Sequence, residues 1–314
     1  MPPSPSPTSV NLAGIALRSP IIAAAGTCGY IREIADVIDP RSIGGIVTKS
    51  ITREPREGNA PWRIIDLPRA PGMLNAIGLA NVGLDRFIVE KLPDAKSIDC
   101  VVIGSVAGHS IDEYQGVAAA IDQTGALPAI ELNVSCPNTS DGLQFGEHPA
   151  KLFELLNAVR PAVKRSKLII KLSPNVGDIV GMAKAAIEGG ADALTLINTV
   201  AAMSIDPETR QPRLSRGAGG MSGPAIHAIA LRMVSEVYRG VARDAKIPII
   251  GLGGVMTWED AAEFVLAGAT AVAMGTAMFV DPRLLPKVAR GLEQWVARQG
   301  CTSIAELVGQ VKPP

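Results

Sequence analysis

The stretch "IPIIGLGGVMTWEDAAEFVLAGATAVAMGT", residues 247–276, contains one complete repeat of the fold. "IPIIGLGG" (247–254) is a short apolar run ending in glycines, "TWED" opens a helix at Thr257, and "AVAMGT" (271–276) is apolar again. Strand, helix, strand over so short a span predicts a parallel crossover. Working outward, the same kind of run recurs as "IIAAAG" (21–26), "GGIVTKS" (44–50), "CVVIGSV" (100–106), "PAIELNV" (128–134), "KLIIKLS" (167–173) and "ALTLIN" (193–198), and most alternate with helix-length amphipathic segments. Continuously apolar strands belong to a parallel sheet covered by helices. Eight β-then-α units predict an α/β fold closed as a (β/α)8 TIM barrel rather than an open sheet. "SIDE" (Ser110 to Glu113) has capping-box spacing, and Pro224 suits a first helical turn.

Two connections are too long for simple loops: roughly residues 50–83 after the second strand and 199–222 after the sixth. Both leave from the C-terminal face, where barrels build active sites, so they read as substrate lids. One barrel domain is expected over residues 10–314, preceded by a Pro/Ser-rich lead, "MPPSPSPTS" (1–9), read as disordered.

The chain has 314 residues, 47% hydrophobic, with thirty basic and thirty acidic side chains. That balance disfavours nucleic acid or an anionic membrane as a partner, so any anion needs a local site. The four cysteines, at 28, 100, 136 and 301, form no close pair suited to a disulfide, zinc or iron–sulfur site, and no metal site is expected. With no run long enough to span a bilayer, the expectation is a soluble, cytoplasmic protein.

Several strands end in polar residues where apolar ones would pack better: Lys49, Asn133, Lys171 and Asn198. One such lysine reads as a surface residue, whereas this set around one barrel mouth reads as a pocket for an anionic, amide-like ligand. "GLGGV" (251–255) and "MGTAM" (274–278) place small residues and backbone N–H groups at strands seven and eight, where barrels hold phosphate; the bland alternative is a pair of tight turns. "NAIGLANVG" (75–83) is either a turn-rich cover or a backbone cradle for a carboxylate. Cys28, Cys100 and Cys301 read as small hydrophobes. Cys136, in "ELNVSCPNTSDG" (131–142), follows a strand end in a polar loop and reads as a nucleophile or a base.

These stretches together resemble the class 1 dihydroorotate dehydrogenases, over about residues 10 to 310. The resemblance rests on "TKSITREPREGNAPWR" (48–63), "GMLNAIGLANVGL" (72–84), "ELNVSCPNT" (131–139), "IIKLSPNV" (169–176), "LTLINT" (194–199), "GGMSGPAI" (219–226), "IIGLGGV" (249–255) and "AVAMGTAMF" (271–279). "EPREGN" and the length look most like the catalytic (FMN) subunit of subclass 1B. That resemblance implies FMN-dependent oxidation of dihydroorotate to orotate, a step of pyrimidine biosynthesis. It further implies a homodimer of this chain, with a partner subunit carrying FAD and a 2Fe-2S cluster and passing electrons to NAD.

By the same resemblance Cys136 is the base for the substrate's C5 proton, while a hydride leaves C6 for flavin N5. Asn75, Asn133, Asn198 and Thr199 are expected around the pyrimidine ring, the loop Ala76, Ile77, Gly78, Leu79 at the carboxylate, and Lys49 against both substrate and flavin. Ala25, Gly26, Ser50, Ser105, Asn133, Lys171, Ile197, Gly223, Gly253, Gly254, Gly275 and Thr276 are expected at FMN, the glycines mostly at its phosphate. Ala25 and Ser105 depart from the serine and asparagine usual in relatives, and Cys28 replaces an aromatic, read as a packing change. The alternatives are a related dihydropyrimidine as substrate, fumarate as acceptor, or a non-catalytic barrel subunit.

Overall fold

The computed structural model describes residues 6–67, 70–135 and 145–312. Eight parallel strands close into a barrel: β1 (Ile21–Ala23), β2 (Gly45–Val47), β3 (Val101–Val106), β4 (Ala129–Asn133), β5 (Lys167–Lys171), β6 (Ala193–Leu196), β7 (Ile249–Leu252) and β8 (Ala271–Met274). β8 returns to β1 with Val272 opposite Ile21. Every strand lies inside an apolar run of the sequence. The runs do not alternate because one face of each strand fills the barrel and the other meets helices. Ile22, Ile46, Ile103, Ile130, Ile170, Leu194, Ile249 and Val272 are all buried.

Helices Ile111–Thr124, Pro149–Val159, Ile179–Glu188, His227–Val237, Trp258–Ala267 and Leu284–Arg298 follow β3 to β8 in turn. Thr257 and Asp260 form a reciprocal capping box. Ser110 accepts from the Glu113 N–H at 3.1 Å, but the Glu113 carboxylate takes N–H groups of His109 and Arg53 instead of Ser110, tying this helix to the first lid. β1 is followed by 3-10 turns, Arg32–Asp36 and Pro40–Ser42, rather than an α-helix. Asp39 precedes Pro40, which biases it away from helical backbone, and its carboxylate caps the second turn through the Arg41 N–H.

The two long excursions turn out to be one structure. Met73–Asn75 of the first pairs with Ala218–Ser222 of the second, and Ile64–Asp66 and Val200–Met203 flank them as the edges of one antiparallel sheet of four strands. The lead needs a boundary correction: the packed chain begins by Ser6. The Pro7 carbonyl accepts from the Ile304 N–H at 2.8 Å and Thr8 is buried. Proline cannot donate, but its carbonyl still pins a chain.

Asp122 locks the turn before β5. Its buried carboxylate accepts from the N–H groups of Lys164, Arg165 and Ser166 at 2.9, 3.0 and 2.7 Å. Burial pushes its titration upward, and those N–H groups more than offset it, so the net shift is downward. A depressed acid stabilises above the unfolded-state value of about 3.9 and loses that contribution as pH falls through the native value. Asp122→Ala is expected to cost about 3 kcal/mol at neutral pH, and progressively less as the pH falls below the unfolded-state value, read from denaturant midpoints. An unchanged midpoint would remove Asp122 from the account of stability.

Candidate active site

A cavity of about 550 Å³ lies between the C-terminal strand ends and the four-stranded sheet. Asn133 ends β4, with its backbone carbonyl held by the Tyr114 hydroxyl at 2.7 Å. The Asn198 amide donates to Asn133 Oδ1 at 3.0 Å and accepts from the Thr199 N–H at 2.8 Å. Asn75 donates to the Gly220 carbonyl at 3.3 Å, joining the two lids above them. These bonds hold the three amides in a fixed frame, which suits the edge of a planar amide ring.

The loop Ala76–Leu79 lines the same cavity. Asn59 takes the carbonyls of Ala76 and Ile77, at 2.7 and 2.9 Å. The N–H groups of Ile77, Gly78 and Leu79 have no acceptor among the described residues. Gly78 and Leu79 both have positive φ, +76° and +56°. For leucine that conformation costs about 1 kcal/mol, a strain held in place by the Asn59 bonds. Three open N–H groups on a rigid turn make a seat for a carboxylate.

Lys49 and Lys171 stand at the mouths of β2 and β5. Neither has a carboxylate within ion-pair distance among the described residues. Burial lowers the titration of Lys49, with Arg63 adding to it, and burial lowers that of Lys171, partly countered by Glu131. Two desolvated lysines with no ion pair among the described residues favour an anionic ligand, whose arrival would raise the titration of both again.

On the opposite side, Gly223, Gly254, Gly275 and Thr276 converge after β7 and β8. A Cβ on Gly254 would meet the Gly223 carbonyl at 2.8 Å and His227 Cβ at 2.9 Å. Thr276 Oγ1 donates to Ser222 Oγ at 2.9 Å. The N–H groups of Gly254, Gly275 and Thr276 have no acceptor among the described residues, an arrangement that fits a phosphate. Gly253 is held by its carbonyl to His227 Nδ1 at 3.0 Å, and His227 Nε2 lies 2.8 Å from Glu263.

Asn75, Ala76, Ile77, Gly78, Leu79, Asn133, Asn198 and Thr199 therefore share one chamber. Lys49, Ser50, Ser105, Lys171, Ile197 and the glycine cradle lie at the strand ends without lining it; Ala25 and Gly26 follow β1 in the same layer. Ser105 uses its short side chain inside the wall, 2.8 Å from Ser50 Oγ, and its N–H donates to Thr48 Oγ1. Cys28 is buried, its thiol pushed up to about 12 by burial first and then by Cys100 and Glu33, in keeping with a packing role. Cys136 lies outside the described residues.

Sequence reasoning missed Arg56, Asn59, His109 and Asn175 in this chamber, and His227 beside the cradle. Arg56 and Asn59 sit in "EPREGN" and Asn175 in "LSPNV", so motif residues were visible while their contacts were not. Asn175 accepts from the Ala201 N–H at 2.8 Å and donates to the Thr199 carbonyl at 3.2 Å, fixing the turn that carries Asn198 and Thr199. Asn175→Ala is expected to raise the substrate KM by about tenfold, the worth of two such bonds, with a smaller effect on kcat. Steady-state kinetics would check this, and an unchanged KM would leave Asn175 a bystander.

The sequence model of the family described as dihydroorotate dehydrogenase matches residues 8–296. A protein of Geotalea daltonii, named dihydroorotate dehydrogenase B (NAD(+)), catalytic subunit, is 46% identical over 97% of this chain and 98% of its own length. One of Bacteroides thetaiotaomicron with the same name is 46% identical over the same shares. A crystal structure of a dihydroorotate dehydrogenase from Eimeria tenella, in complex with ferulenol, superposes with a TM-score of 0.82 over 97% of this chain and 88% of that one; at 22% identity it supports the barrel. With its eight-stranded barrel, amide-lined chamber and a family match over nearly the whole length, the chain belongs to the dihydroorotate dehydrogenase family.

Proposed function

We propose that this chain is the catalytic subunit of an NAD-linked dihydroorotate dehydrogenase, oxidising dihydroorotate to orotate with bound FMN. The observation that carries the reading is the chamber itself: the amides of Asn75, Asn133 and Asn198 stand together with the open N–H groups of Ile77 to Leu79. Dihydroorotate is a cyclic amide bearing a carboxylate, and this wall offers a partner to each part.

The ring edges bind to the asparagines, and the carboxylate to the 77–79 turn and the Lys49 ammonium. Cys136 removes the C5 proton, a role drawn from the family resemblance. FMN, when bound, supplies the hydride acceptor for C6. Lys171 would lie by the flavin's pyrimidine edge, where a cation would favour the anionic reduced form, and the Gly223, Gly254, Gly275 and Thr276 cradle would hold the phosphate. The four-stranded lid sheet excludes water from the chamber. Electrons continue to NAD through a partner subunit carrying FAD and a 2Fe-2S cluster, with this chain as a homodimer. The relatives' names, a catalytic subunit linked to NAD(+), support that assembly. The proposed site of action is the cytoplasm; no helix among the described residues is long and apolar enough to cross a membrane.

The test is anaerobic. The purified yellow chain, mixed alone with dihydroorotate, should lose its visible flavin absorbance, whereas dihydrouracil, which lacks the carboxylate, should reduce it far more slowly. Equal reduction by both would transfer the proposal to another dihydropyrimidine. Colourless protein that FMN does not reconstitute would sink it in favour of a non-catalytic barrel.

A further inference from the structure

We propose that Glu131 is a positioning residue of the cofactor site: from inside the barrel it holds the charge on Lys171, and so sets how many protons enter when the cofactor is reduced. This rests on the FMN reading above.

Glu131 lies in β4 and is 1% exposed. One carboxylate oxygen accepts from Thr195 Oγ1 at 2.7 Å, and the other is buried without a hydrogen-bond partner among the described residues. A buried carboxylate half satisfied is an anomaly that a structural role alone does not explain. Strand register shows what it is near. Lys171 on β5 stands between Asn133 on β4 and Thr195 on β6, each its direct partner. Partners in register share a face, and Glu131 shares the face of Asn133 two residues on. Since Thr195 reaches Glu131, all four side chains point into the barrel, with the carboxylate one layer below the lysine.

Among the described residues the ionisable groups around Lys171 are few. β4 brings Glu131, β6 brings neutral Thr195, and the other cation at the mouth is Lys49. Burial drives Lys171 toward its neutral form, and Glu131 is the group that opposes this. A lysine that is already charged would balance an anionic reduced cofactor beside it. Two electrons then enter with one proton, which goes to the flavin. If Lys171 is neutral beforehand, reduction draws a second proton, which goes to its amine.

Three FMN-loaded proteins decide the matter: wild type, Glu131→Gln and Thr195→Val. E131Q keeps the shape and an acceptor for Thr195 but removes the charge, whereas T195V keeps the charge and removes the bond. Proton uptake per two electrons is read from the pH dependence of the flavin midpoint potential, with a chemical reductant and reference dye, between about pH 7 and 9. Wild type and T195V should take up about one proton, and E131Q a number rising toward two. E131Q matching wild type would overturn the proposal, as would T195V shifting alone. Infrared difference spectra of the wild type add a check that needs no variant, since a protonated buried carboxyl at Glu131 in the oxidised protein would also overturn it. The FMN reading is judged separately: yellow protein that the chemical reductant bleaches upholds it, whatever the proton count.

Discussion

Cys136→Ala should give a yellow, FMN-loaded protein whose flavin is reduced by dihydroorotate about 10² to 10⁴ times more slowly than in the wild type, the usual worth of a positioned general base. Binding and chemistry separate in this variant. The amides of Asn75, Asn133 and Asn198 and the N–H groups of Ile77 to Leu79 are untouched, so substrate affinity should hold while the rate constant collapses. An ordinary thiol, with a pKa of about 8.5, is mostly protonated at neutral pH. A positive charge close to the thiol would favour the thiolate, and Lys49, half-buried with no ion pair among the described residues, is the candidate proposed for it. The wild-type reduction rate should therefore climb with pH until the thiol is ionised, and the variant should lose that limb. Stopped-flow mixing without oxygen measures both. Reduction of the alanine variant at the wild-type rate would move the base elsewhere in the chamber.

The barrel was legible because each strand is buried on both faces and so is written as an unbroken apolar run, from "IIAAAG" to "AVAMGT". The strand-end residues were legible for the opposite reason: Lys49, Asn133, Lys171 and Asn198 interrupt those runs where packing alone would not place them. The union of the two lids was not. Ile64–Asp66 and Met73–Asn75 are strands of three residues, too short to show a period, and the strand that joins Met73–Asn75 to the second lid, Ala218–Ser222, lies more than a hundred residues away. Side chains that act through backbone groups were hidden in the same way. Asn175 and His227 reveal their work only once the fold brings Ala201 and Gly253 to them. Glu131 had a visible signal, an acid inside "PAIELNV", which the apolar reading of that run passed over.

Gly254→Ala should abolish stable FMN loading, weakening FMN binding by about 10² or more. The residue has φ +70°, where an L side chain costs about 1 to 2 kcal/mol, and each 1.4 kcal/mol is a decade in affinity. Space forbids the methyl as well. It would sit 2.8 Å from the Gly223 carbonyl and 2.9 Å from His227 Cβ, both anchored by backbone, so the loop must shift rather than a side chain. A shifted loop turns the Gly254 N–H away from those of Gly275 and Thr276, and the phosphate loses a convergent set of donors. The barrel itself should survive, because Gly254 lies beyond the last paired residue of β7. Quenching of flavin fluorescence by apo-protein measures the effect, and riboflavin, which lacks the phosphate, isolates its cause. If the cradle holds phosphate, the wild type should prefer FMN over riboflavin and G254A should lose that preference while circular dichroism stays native. A variant that keeps the preference would place the phosphate elsewhere, and the open N–H groups after β7 and β8 would need a different anion.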